Sequence, residues 1–129
     1  MEQLRVEKGE NIMEWEVIHT YSRKEAIEDG VLADLTALFP NDTRLFKYPV
    51  ACTARVWALI ETTCKAEGAD PGGYVWDLCW MSIHVGKTLD PTTRLFKCCI
   101  CRREETFKIV CGPGDDLEPV LTIMFPDED

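Results

Sequence analysis

Residues 94–125 read RLFKCCICRREETFKIVCGPGDDLEPVLTIMF, and this stretch decides the fold. Three runs in it, Arg94 to Arg103, Phe107 to Cys111 and Pro119 to Phe125, read as strands. Short links join them, which favours an antiparallel meander. In the last run Leu121, Ile123 and Phe125 fall on one face by period two. The link Gly112-Pro113-Gly114-Asp115-Asp116 has the turn chemistry of a hairpin connection. A phosphate-binding loop would instead open a helix and would not carry two carboxylates.

Upstream of the meander the chain reads as helical. A segment from about Tyr74 to Val85 is apolar almost throughout, with Asp77, Ser82 and His84 as its main polar residues. A helix of that kind is expected at the centre of a core. Asp70-Pro71-Gly72-Gly73 reads as a breaker before it. Pro49 fits the first turn of a longer helix, with Val50, Ala54, Trp57 and Cys64 on one face, Val56, Leu59 and Ile60 widening it, and Gly68 as its stop. Ser22-Arg23-Lys24-Glu25 is a capping box for a short helix that ends near Asp29 and Gly30. Val31 to Leu35 is apolar and expected to be buried, and Trp15 to Tyr21 suits a short strand. The expectation is an α+β protein in which a helical N-terminal half packs on a C-terminal three-stranded antiparallel β-meander. Residues 1–14 are read as a flexible acidic arm and 15–129 as a single domain.

The chain has 129 residues, 46% of them hydrophobic and 29% charged, an ordinary globular balance. A chain of this length buries enough surface to fold without a disulfide or metal. No apolar run approaches a membrane span, and the acidic N-terminus lacks the basic start and apolar run of a signal peptide. A cytoplasmic location follows as the expectation, with no membrane partner. The odd count of seven cysteines suits reduced thiols. The formal charge of -9 makes nucleic acid a less favoured partner and a basic protein surface a more favoured one.

No constellation for catalysis emerges. Cys98-Cys99-Ile100-Cys101 contains a C-x-x-C spacing, but the only other nearby thiol is Cys111, and on an extended strand Cys98 and Cys101 would point to opposite faces. His84 and Asp77 are two helical turns apart, about 10 Å, too far to pair. No catalytic residue, metal ligand or cofactor is therefore assigned. Trp57, Trp76 and Trp80 fall at helical spacing among aliphatic residues and read as core, whereas Trp15 stands in a polar stretch and reads as a contact residue or a staple onto the core. From Gly112 onward Asp115, Asp116, Glu118, Asp127, Glu128 and Asp129 occur with no basic residue, and they are read as one acidic edge for docking. Lys97, Arg102, Arg103 and Lys108 make the preceding strands locally basic.

Four segments carry a family resemblance: Tyr21 to Asp34, Lys47 to Val50, Trp76 to Met81 and Cys111 to Asp129. They resemble a small bacterial, plasmid and phage family of unknown function, and the last segment is the most specific. The resemblance covers most of the chain after Trp15. It implies no activity, cofactor or catalytic residue, but it does imply a habitat in mobile elements and their bacterial hosts. The cysteines near Cys98 lie outside the family's pattern.

The expected function is a non-enzymatic interaction protein of a mobile element or its host. It would use an acidic surface to modulate or inhibit a nucleic-acid-processing or defence system through a protein partner. Two readings compete with it: a small metal- or thiol-dependent enzyme using the acidic hairpin or a cysteine, and a nucleic-acid-binding accessory protein using the basic strands.

Overall fold

The computed structural model describes residues 21–128. The arm at residues 1–14, Trp15 with the strand expected after it as far as Thr20, and Asp129 lie outside the described residues.

The capping box forms as the sequence requires. Ser22 Oγ accepts from the Glu25 amide, the Glu25 carboxylate accepts from the Ser22 amide, and α1 (Arg23–Glu28) follows. Gly30 then turns the chain at a positive φ of 78°, a conformation cheap only for glycine. The chain continues into β1 (Leu32–Asp34) and a single helical turn, α2 (Leu35–Leu38), capped by the Asp34 carboxylate. Leu35 is fully buried, but Val31 is exposed, so the apolar stretch here is not buried throughout.

Pro49 does not start a helix. It precedes β2 (Val50–Thr53), and Thr53 is the N-cap of α3 (Ala54–Glu67). Val50, Ala51 and Cys52 are all buried because β2 is an internal strand covered on both faces, and such a strand shows no alternation. A short continuous apolar run joined to a helix is indistinguishable by period from more helix. Gly68 ends α3 in the left-handed region, as expected. Asp70-Pro71, expected as a breaker, instead starts α4 (Pro71–His84). The Asp70 carboxylate accepts from the Gly72 amide, and Pro71 sits where a missing N–H costs nothing.

Among the described residues the sheet has six strands rather than three. Their order is β1, β2, β6 (Pro119–Met124), β5 (Arg103–Pro113), β4 (Thr93–Ile100), β3 (Lys87–Asp90). The β4–β5–β6 meander is present, but β3 extends it on one side. On the other side β2 joins β6 in parallel, which makes the sheet mixed. The N-terminal half is thus not helical alone, since it supplies two strands. The α+β class stands.

Register fixes the two faces. Phe96 opposes Phe107 and Ile109 opposes Ile123, so these four share the face that α3 and α4 cover with Val56, Ile60, Val75 and Leu78. The opposite face is covered at its β6 side by α1, whose Arg23 guanidinium donates to Thr122 Oγ1 and the Leu121 carbonyl.

The β4–β5 link is a two-residue turn, Cys101 and Arg102, with φ of 56° and 64°. Positive φ at both positions is the mark of the type I′ hairpin turn, for which Asn-Gly is the favoured pair. Replacing Cys101 by Asn and Arg102 by Gly together should raise unfolding stability by about 1 kcal/mol in a denaturant melt. An unchanged or lowered midpoint would show that these side chains make contacts that offset the backbone cost.

Candidate functional site

The acidic residues singled out from the sequence fall into two groups rather than one edge. Asp115, Asp116 and Glu118 precede β6, and Asp127 and Glu128 follow it. Six extended residues separate the groups by about 20 Å, about two Debye lengths at physiological salt.

Most of these carboxylates are engaged in holding the fold. Asp115 reaches the N-terminus of α1, where its two oxygens accept from the Arg23 and Lys24 amides at 2.8 and 3.0 Å. Glu118 accepts from the Asp116 amide within its own hairpin. Glu128 accepts from Thr53 Oγ1 and the Phe125 amide, both at 2.8 Å. Asp127 pairs with Arg55 at 3.1 Å, and both side chains are more than half exposed, so the pair adds little stability. Asp116 is exposed in the hairpin beside Leu117, which is 82% exposed.

The two amide bonds hold the Asp115 carboxyl below its ordinary 3.8. Its ionised form is therefore favoured by folding. That contribution is present above pH 3.8 and is lost as pH falls through the lower folded value. The Arg23 and Lys24 amide resonances should move together in that acid range, and Asp115→Asn should remove the movement. Titration of those amides with Asp115 absent would mean that another group anchors α1.

The thiols do not form a cluster. All seven cysteines are free. Cys98 faces the core while Cys101 lies in the exposed turn, so the C-x-x-C spacing does not become a shared site. Burial pushes the Cys52, Cys79 and Cys98 thiols up to about 12, which leaves them protonated and unreactive. Among the described residues no group of three or more His, Cys, Asp or Glu side chains is placed to hold a metal ion.

A cleft of about 360 Å³ lies between the end of α4 and the β3–β4 turn, with Cys111, Asp90 and Arg94 in its lining and no histidine. Its polar groups are already committed. Arg94 donates to the Ser82, Ile83 and Gly86 carbonyls and to Thr88 Oγ1, which ties off the C-terminal end of α4. Asp90 accepts from the amide and hydroxyl of Thr92, closing the turn.

The open feature is the groove between α4 and the outer edge of β4. β3 pairs with β4 only as far as Leu95. Beyond it, among the described residues, Phe96 to Ile100 have no strand on that side. Beside this edge α4 turns an apolar face outward. Trp80 is 41% exposed, Ile83 39% and Val85 53%. This corrects the reading of Trp80 as core. The buried face of α4 is Val75, Leu78, Cys79 and Ser82, and Trp76 and Trp80 stand on the other side. Trp76 lies under the Arg44 guanidinium, 5.0 Å from its ring centre, and Trp80 lies tilted against His84 with ring centres 4.2 Å apart.

Two adjoining cavities make up the groove and share Met81, Cys98 and Cys99. One, of about 360 Å³, runs past Val85, Leu95, Lys97 and Glu104; the other, of about 420 Å³, lies against Trp76, Asp77 and Trp80. Lys97 on the edge leans to Glu104 at 3.8 Å. The sequence does carry a signal for this groove. A helix apolar on every side cannot bury all its faces in a two-layer domain.

A family model described as "Family of unknown function (DUF6573)" matches residues 10–129. No curated protein and no solved structure matches the chain.

Proposed function

The chain belongs to the DUF6573 family of unknown function, and from that premise we propose that it is a protein-interaction module that takes up an extended, basic segment of a partner along the free edge of β4. The observation that carries this reading is a coincidence of two features. Among the described residues, an unpaired strand edge lies directly beside an exposed aromatic helix face. An added strand gains main-chain hydrogen bonds from such an edge and selectivity from the pockets beside it. An exposed tryptophan, Trp80, with Met81 and the half-buried Trp76 at hand is the kind of residue that anchors interfaces.

The carboxylates at the two ends of β6 have a place in this reading as a field. They contribute to a formal net charge of -9, which steers a basic partner toward the molecule. A setting in bacteria, plasmids and phages, with action in the cytoplasm on a component of a nucleic-acid-processing or defence system, belongs to the same reading. The family resemblance and the free thiols support it.

The test is selection from a random peptide library on the immobilised protein, with Trp80→Ala as counter-screen. The expected yield is peptides of alternating apolar pattern that carry lysine or arginine and lose binding when their backbone amides are N-methylated. Peptides that bind both proteins alike, or tolerate N-methylation at every position, would remove the groove from the mechanism.

A further inference from the structure

We infer that Asp77, Trp76 and Trp80 form a pocket for one cationic side chain, lysine or arginine, of the segment that β4 takes up. The inference rests on the groove reading and names the chemistry of what enters it.

A carboxylate and two indoles line one cavity. α4 places Trp76 and Trp80 one turn apart on a common face, with Asp77 beside the first of them. All three line the cavity of about 420 Å³ whose floor is Met81, Cys98 and Cys99. Asp77 is the one ionisable carboxylate in that lining. Among the described residues its side chain has no hydrogen bond and no ion pair. Burial pushes its carboxyl above the ordinary 3.8. Asp77 remains exposed at the cavity mouth, and a segment laid over the groove would take it out of water, where an ionised carboxylate is costly unless a cation meets it. Indole faces are the strongest aromatic partners for a cation. Trp76 already carries one cation on its ring, Arg44, which shows that cation–π contact suits this face.

The alternative occupants fit less well. The negative net charge opposes an acidic segment. A purely apolar segment would bury Asp77 without a partner. A segment with a single lysine or arginine, flanked by apolar residues at alternate positions, satisfies both the carboxylate and the walls.

The experiment uses a synthetic seven-residue peptide of alternating threonine and valine with lysine at its centre. Its twin has norleucine, which keeps the chain length and loses the charge. Both are titrated into the full-length protein, read by the backbone amides of Lys97 to Ile100 and by the indole N–H signals of Trp76 and Trp80. The lysine peptide should move both sets of signals and bind about tenfold or more tightly than its twin. Asp77→Asn, which preserves shape, should erase most of that difference. If the two peptides bind alike and move the β4 amides, the groove stands and the cation pocket is overturned. If neither peptide moves the β4 amides, the groove reading itself fails and this inference with it.

Discussion

Replacing Phe107 by alanine is expected to destabilise the fold by about 3–5 kcal/mol, the usual range for a buried aromatic. Phe107 is fully buried on β5. Its ring lies between Phe96 on β4, 5.7 Å away, and Phe125 just beyond β6, 5.4 Å away, both near-parallel. These three rings tie the three central strands of the meander together on the face that α3 and α4 cover. Alanine removes the ring contacts and leaves a cavity under both helices, and packed neighbours close such a space only in part. A denaturant melt measures the change. A loss under about 1 kcal/mol would mean that the three rings do not form the centre of the core.

Trp80→Ala is expected to act in the opposite way. With Trp80 41% exposed and its ring tilted against His84 at the surface, the loss of stability should stay near 1 kcal/mol. Binding of a segment selected on the groove should fall by about thirtyfold or more, the scale of a tryptophan hot spot. The two readouts separate the roles. A melt shifted as far as that of Phe107→Ala would return Trp80 to the core. Unchanged affinity with an intact fold would leave the exposed face of α4 without a function in binding.

How far the fold is legible in the sequence follows from where each segment is buried. The capping box at Ser22 and the stop at Gly68 are local chemistry, and both form as read. The meander strands are half-buried with one clear face, so their pattern survives in the sequence. β2 is covered on both faces and four residues long, so its apolar run merges with α3. β3 is exposed along its whole length, and a strand with no buried face has no hydrophobic period to read. The parallel pairing of β2 with β6 joins residues about 70 apart, Val50 with Leu121, and no local pattern specifies it.

The site was less legible than the fold. Charge drew attention to Asp115, Glu118, Asp127 and Glu128, whose oxygens turn out to bind amides, a hydroxyl and a guanidinium within the domain. A carboxylate that caps a distant helix looks the same in sequence as one that faces solvent. The groove is legible only through α4, whose apolar character on every side exceeds what its neighbours can bury. Trp76 and Trp80 have core composition, and their exposure depends on how many layers the domain has.

The most direct measurement is amide hydrogen exchange along β4, with and without a saturating peptide selected on the groove. The outer edge of Phe96 to Ile100 lacks a strand among the described residues, so alternate amides there should exchange freely in the unbound protein. With the peptide bound, those same amides should become protected, and the Asp115-capped amides of Arg23 and Lys24 should not change. Peptide binding that leaves exchange at Phe96 to Ile100 unaltered would contradict strand addition at this edge and with it the proposed function.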